Sequence, residues 1–408
     1  VTKGMRNLHI LIIPSEAYLP EENPLSGIFE RDEALILKKA GYRIGILSPN
    51  LRSLRFIKDK KAWLQRGWDN QNDDGIPVYR YSCWNWFVRF YRTKAWWWLN
   101  RGMRLFKKYI HEHGLPDLIH CHNAMYAGLL SNQVKRKFNI PYVVTEQSSE
   151  YAEGFFPSGF FKKVKIAYGN ADRLIVVSPK LGNLLGSTFD IPIEKRVWIP
   201  LALDSLFEDK KLIEVTKTHQ KGIFCFLSVG RLDKNKSHSD LLFAFEKKFK
   251  NHDNIQLQIV GEGPLMDYLQ DLSKKLKIDK QVKFLGYLDR SEVLREMDDC
   301  NVFVLPSHYE TFGLVLVEAL SRGKTIVATA CGGPECIVNK DNGLLVPIGD
   351  IQALANAMES MYFTIRNFDA SSIRKSCLTI FGKDAIKNRL SDVYTNVMNK
   401  TIACGNNT

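Results

Sequence analysis

No stretch of this 408-residue chain approaches the ~20 consecutive apolar residues that a membrane-spanning helix requires. The longest apolar runs are of the type LHILII at Leu8 to Ile13. Pro14 and Ser15 cut that run off, so it reads as a first core strand, and it lacks the long apolar region and small-residue cleavage site of a signal peptide. Cysteine is sparse and scattered. The eight residues include no CxxC pair, the nearest two being Cys331 and Cys336, which predicts reduced thiols in a cytoplasmic protein. Internal repeats and low-complexity tracts are also missing.

A composition of 45% hydrophobic and 25% charged residues is that of a globular protein. The length suffices for two domains with separate cores. A formal net charge of +13 favours anionic partners, among which nucleic acid, acidic lipid and phosphorylated substrates all qualify. Strand-like and helix-like segments alternate along nearly the whole chain, which predicts an α/β fold with parallel sheets. The expected division is a Rossmann-like domain over 1–207, a polar linker over 208–221 and a second Rossmann-like domain over 222–381. A helix over 382–400 is expected to pack back on the first domain, and Thr401 to Thr408 to fray.

The stretch from Val302 to Gly333 (VFVLPSHYETFGLVLVEALSRGKTIVATACGG) is the most informative. Val302 to Leu305 is a short strand stopped by Pro306, and Gly313 to Leu320 has helical composition. A helix start just beyond a strand end offers unpaired N–H groups to an anion. Glu310 and Glu318 flank that start; from spacing alone, dipole complementarity and a solvated helix face explain them better than a site does.

Further motifs follow strand ends. Gly230-Arg231-Leu232 precedes Lys234 and Lys236, where an Arg fork and a Lys point charge suit a diphosphate; a solvated basic turn fits equally. Val260-Gly261-Glu262-Gly263-Pro264 fails as a dinucleotide fingerprint, because Met266 holds the third glycine position. Phe284-Leu285-Gly286-Tyr287 ends another strand, where a glycine lets a flat base approach the backbone. The order GRLDKNK, IVGEGP, FLGYL, PSHYETFGLVLVEALSRG, GGPE, NGLLVP resembles the nucleotide-sugar-dependent glycosyltransferases of the GT-B type, specifically glycosyltransferase family 4. The likeness is strongest from Ser228 to Asp350.

That resemblance implies two Rossmann-like domains facing a central cleft, and a retaining hexosyl transfer from a nucleotide-sugar, with a UDP-sugar preferred, to a saccharide or lipid-linked glycan. No cofactor and no metal are implied. The E-x7-E element puts Glu310 at the donor sugar and Glu318 on the ribose, and Arg231 and Lys236 match the diphosphate pair. Gly230, Tyr287, Leu288, Thr311, Phe312, Gly313 and Leu314 complete the donor set in the second half. In the first half NPLSGIFERDEALILKKAGYRIGILSP resembles the family's opening, placing Ser26 and Gly27 at the cleft, and PDLIHCHNAMYAG places His122 there. With Glu310, Arg231 and Lys236, His122 makes the expected catalytic set. His120 and His122 at i and i+2 also admit a metal pair, disfavoured for want of a third ligand nearby. Departures are Gln147, where many relatives have His, and Leu201-Ala202-Leu203 in the interdomain strand.

From Arg52 to Lys108 the chain is basic and holds Trp63, Trp68, Trp84, Trp86, Trp96, Trp97 and Trp98. An anionic membrane surface on the cytoplasmic side and a core or acceptor-pocket role compete for these rings. Nucleic acid is not expected, since no recognition module accompanies them. A sugar-nucleotide epimerase on the same fold and a non-catalytic α/β protein binding anionic lipid or nucleic acid are the alternatives.

Overall fold

Strands of a parallel sheet are covered on both faces, so they read as unbroken apolar runs rather than alternating ones. His9–Ile13 (HILII) and Val302–Leu305 (VFVL) are such runs, and every residue in them is buried. The computed structural model of the protein describes residues 7–14, 17–20, 26–54, 57–58, 67–86, 90–149, 151, 159–210 and 222–405. The chain divides into a first unit, Val1–Ala202 with Ile386–Thr408, and a second, Leu203–Ala385. Of the expected linker, 211–221 lie outside the described residues, as does Trp63.

In the first unit the strands are β1 His9–Ile13, β2 Arg43–Arg52, β3 Gly67–Asp73, β4 Ile76–Trp84, β5 Leu118–His122, β6 Tyr142–Glu146, β7 Arg173–Val176 and β8 Arg196–Trp198. They form one sheet in the order β3-β4-β2-β1-β5-β6-β7-β8. Only β3 runs antiparallel to its neighbour. Its sequence, GWDNQND, has no buried residue, as suits a sheet edge, and so gave no apolar signal. The order reverses at β1, whose partners are β2 on one side and β5 on the other.

The second unit holds β9 Phe224–Val229, β10 Ile255–Val260, β11 Val282–Gly286, β12 Val302–Leu305, β13 Thr325–Thr329 and β14 Gly343–Val346, all parallel, in the order β11-β10-β9-β12-β13-β14. This is the doubly wound arrangement, and β9 and β12 lie where the strand order reverses. The helices His238–Phe249 and Ile351–Thr364 cover it, with Leu241, Phe245, Phe249, Leu354 and Met358 packed on Phe226, Leu257, Ile259 and Val304. The expected α/β fold with two Rossmann-like domains is therefore the observed one.

The terminal helix Lys383–Gly405 carries an apolar stripe, Ile386, Leu390, Val393, Tyr394 and Val397, at helical spacing, and this stripe joins the first unit's core with Ile10, Ile12, Leu37 and Val143. The fraying expected from Thr401 is corrected by the helix, which runs on through Gly405; 406–408 lie outside the described residues. Leu390 is fully buried in that stripe. Leu390→Ala should destabilise the protein by about 2–5 kcal/mol in denaturant unfolding, whereas Asn388→Ala on the exposed side should change it by no more than about 0.5 kcal/mol.

Candidate functional site

The second unit gathers most of the predicted residues on the loops that leave β9 and β12 at the reversal point, where open α/β sheets bind ligands. Gly230 follows β9, and its N–H donates to the carbonyl of Val260 at 3.0 Å. A Cβ on Gly261 would stand 2.0 Å from the Gly230 carbonyl oxygen. Close approach of two strand-end loops is thus the role of that glycine.

Lys236 and Glu310 meet here. The ammonium Nζ lies 2.5 Å from Glu310 Oε1, and the buried Ser307 hydroxyl donates to the same oxygen at 2.7 Å. Backbone bonds hold both residues in place. His308 N–H donates to the Asn235 carbonyl at 2.8 Å, Gly333 N–H to the Glu310 carbonyl at 2.8 Å, and the Asn235 side-chain amide to the Tyr309 carbonyl at 3.0 Å. The expected pair of cations is divided: Lys236 is turned onto Glu310, while Arg231 is 72% exposed and 3.7 Å from Asp233.

The helix Leu314–Ser321 starts at Gly313, whose φ of 91° is a left-handed conformation that suits glycine. No side chain caps it, which leaves its first turn suited to an anion. Thr311 and Leu314 are half-buried beside that start. Phe312 is buried against Phe381, with ring centroids 5.9 Å apart, so its ring belongs to the core and its backbone is what it can offer a donor. Glu318 is held by Arg290 Nη2 at 2.9 Å. Tyr287 is exposed and Leu288 half-buried after β11.

In the first unit Gly27, with φ 78°, opens the helix Ile28–Lys39. The Ser26 hydroxyl donates to the Ala17 carbonyl at 2.7 Å and so braces this loop. His122 ends β5 and is buried; neither ring nitrogen has a hydrogen-bond partner among the described residues. Its charged neighbours are Glu33, 3.5 Å from Nε2, and Glu30, 3.9 Å from Nδ1. Beside it, His120 contacts Tyr394 Oη and Thr145 Oγ1, each at 2.7 Å, and Glu33 Oε1 at 2.8 Å. The two imidazoles stack at 4.7 Å. Gln147 donates to Glu30 at 3.4 Å.

Glu33 corrects the sequence argument against a metal pair, which rested on the want of a third ligand: the fold brings Glu33 in from the first helix. Glu33, His120 and His122 each offer one atom, all within 4.8 Å of one another, and could hold a metal ion. The i, i+3 spacing of Glu30 and Glu33 on one helix face was the only signal for them. Burial opposes ionisation of Glu33, but the charges of His120 and His122 outweigh it and hold its carboxyl below the ordinary range. Burial likewise disfavours the His122 cation, and Glu33, then Glu30 and Glu146, overcome it and raise its pKa. For His120 burial prevails over Glu33 and the pKa falls.

The tryptophans of the basic region separate into two groups. Trp84 and Trp98 are buried, whereas Trp68, Trp86 and Trp96 are exposed, as is Phe90. Arg101 stacks over Trp97 at 4.8 Å. No helix among the described residues is long and apolar enough to cross a membrane.

Two family models match the chain, Glycosyltransferase Family 4 over residues 34–205 and Glycosyl transferases group 1 over residues 209–362. A glycogen synthase of Mycobacterium tuberculosis is 27% identical over 270 residues, which is 64% of this chain and 64% of that protein. The chain thus spans less than two thirds of that relative. The putative teichuronic acid biosynthesis glycosyltransferase TuaC of Bacillus subtilis is 27% identical over 372 residues, 86% of this chain and 88% of that one. Among solved structures, sucrose-phosphate synthase from Thermosynechococcus elongatus superposes with a TM-score of 0.73 at 22% identity, covering 96% of this chain and 100% of that one. For HepE of Anabaena in complex with UDP the values are 0.71, 18%, 95% and 100%. These two likenesses establish the fold. The two family models are both glycosyltransferase models, each matching less than half of the chain, and they accompany a GT-B fold.

The Glu33–His122 pair generates a stability prediction. Glu33→Gln removes the largest of the carboxylate charges that favour the His122 cation, which costs about 3–5 kcal/mol in denaturant unfolding at about pH 6. His122 has a raised pKa, so its share of the pair's stability is full at acid pH and lost as pH rises through that value. The gap between wild type and variant should therefore narrow on the alkaline side; a gap that widens there would contradict the assignment.

Proposed function

We propose that the protein moves a hexose from a nucleotide-sugar, a UDP-sugar in the first instance, to a saccharide or lipid-linked glycan acceptor, with retention and without a metal. The observation that carries this reading is the Lys236–Glu310 contact at the reversal point of the second sheet. A site for phosphate alone gains nothing from a carboxylate beside its cation, because like charges repel. A nucleotide-sugar asks for both.

In the reaction the bond from the sugar's anomeric carbon to the diphosphate oxygen breaks, a bond to the acceptor oxygen forms, and the acceptor hydroxyl loses its proton. Negative charge grows on the leaving diphosphate. Lys236, Arg231 and the uncapped start of Leu314–Ser321 supply fixed positive potential for it. Glu310 accepts hydrogen bonds from sugar hydroxyls, Glu318 binds the ribose, and Gly230, Tyr287 and Leu288 flank the nucleotide. Ser26, Gly27 and His122 are assigned to the donor on the family resemblance. Retention rests on that resemblance as well.

The deciding experiment is a panel of UDP-, GDP- and ADP-sugars with nucleotide release read in the presence and absence of saccharide and lipid-linked acceptors. Release that depends on an acceptor supports transfer; isomerised donor without release would mean an epimerase. Glu310→Gln should lower kcat about 100-fold, and Glu318→Ala should raise the donor KM about tenfold with kcat little changed. Unchanged rates in Glu310→Gln and Arg231→Ala together would overturn the site. Pretreatment with EDTA should leave the rate unaltered, and a loss restored by a divalent cation would contradict metal independence.

The exposed Trp68, Trp86, Phe90 and Trp96 on a basic segment support contact with an anionic membrane, where amphipathic rings sit at headgroup level. In flotation assays the protein should bind vesicles containing anionic lipid in a salt-sensitive way, and Trp86→Ser with Trp96→Ser should weaken that binding. Equal recovery with neutral vesicles would exclude this surface.

A further inference from the structure

Arg290 stands outside every motif in the sequence, yet it joins two carboxylates of the second unit. Its Nη2 lies 2.9 Å from Glu318 Oε1 and its Nη1 3.0 Å from Asp204 Oδ2. All three side chains are largely sheltered, at 26%, 12% and 17% exposure. The guanidinium also sits 5.8 Å from the centre of the Phe207 ring.

Both ends of this bridge are fixed by the backbone. Arg290 is the first residue of the helix Arg290–Asp299, which a complete capping box secures: Asp289 accepts from Glu292 N–H at 2.8 Å, and the Glu292 side chain accepts from Asp289 N–H at 2.9 Å. Asp204 caps the short helix Ser205–Asp209, accepting from Leu206 N–H at 2.7 Å. An Arg fork so anchored presents its two arms in a set direction, which a Lys point charge cannot do. Glu318 alone could rotate about its side-chain bonds; with Oε1 held by Arg290, the range of orientations open to its carboxylate is narrowed.

We infer that Arg290 is a positioning residue which orients the Glu318 carboxylate toward the ribose hydroxyls of the donor and thereby sets the preference for ribonucleotides over 2′-deoxyribonucleotides. This rests on the reading that Glu318 contacts the ribose. A hydroxyl bonded to a carboxylate of fixed direction is discriminated sharply from its absence, because loss of the hydroxyl leaves a partly buried acceptor unmatched. A carboxylate free to turn discriminates less.

The test measures dissociation constants of UDP, GDP and ADP and of their 2′-deoxy forms by calorimetry for the intact protein, Arg290→Gln, Arg290→Lys and Glu318→Ala, with thermal unfolding as a check on folding. For the base that binds, wild type should prefer the ribonucleotide about tenfold or more. Arg290→Gln should lose most of that preference by weakening the ribonucleotide alone, with the deoxy form within about twofold of wild type, and Arg290→Lys should fall between them. The inference fails if Arg290→Gln and Arg290→Lys weaken both forms equally or neither. If Glu318→Ala keeps the full preference, the ribose reading of Glu318 fails first. If Glu318→Ala abolishes the preference while both Arg290 variants retain it, that reading stands and only the role of Arg290 is lost. Absence of binding by all nucleotides to wild type overturns both.

Discussion

Glu310 sits just beyond a central strand at 11% side-chain exposure, and a carboxylate placed there is costly unless a cation and hydrogen-bond donors meet it. Lys236 and Ser307 meet it. Much of the second unit's carboxyl edge follows from that contact. The loop after β9 must reach across to the loop after β12, the Asn235–His308 and Asn235–Tyr309 bonds pin the crossing, and Gly261 lets the neighbouring loop close in behind. Replacing a buried ion pair with apolar residues of equal volume is often neutral or stabilising. Stability alone therefore gives no reason for the pair; the proposed transfer does, since a diphosphate takes the cation and sugar hydroxyls take the carboxylate.

The first unit meets the same constraint differently. Its strand-end histidine faces carboxylates from a helix rather than a lysine from a loop, and both histidines of the cluster are buried. His120 is tied into the core by Tyr394 of the terminal helix and by Thr145, which leaves His122 as the member with unspent hydrogen-bonding capacity. Here the pKa of one residue is shifted by another: the imidazoles lower that of Glu33, and Glu33 is the largest of the charges that raise that of His122.

Much of this was legible in the chain. Strand-like runs such as HILII and VFVL alternating with helical segments announced parallel sheets, and the ordered strand-end motifs resembled those of one family. What stayed hidden falls into two physical kinds. Polar edge strand β3 has no buried face, hence no hydrophobic pattern to read. Contacts made by long-range packing leave little local mark beyond the Glu30 and Glu33 spacing: Glu33 reaches the β5 histidines, and Arg290 reaches Glu318 and Asp204, only because the sheets bring their helices there. The split of the Arg231 and Lys236 pair is of the same kind, since spacing placed both after β9 but could not say that one would turn inward to Glu310.

The central claim is that Lys236 and Glu310 act as one unit on the donor. A double-mutant cycle on kcat/KM for transfer, using Lys236→Ala, Glu310→Ala and the pair, tests it most directly. Residues that work as a unit are strongly non-additive, so the double variant should be about as slow as either single one. Losses that multiply, with the double variant slowed by the product of the two single effects, would contradict the account.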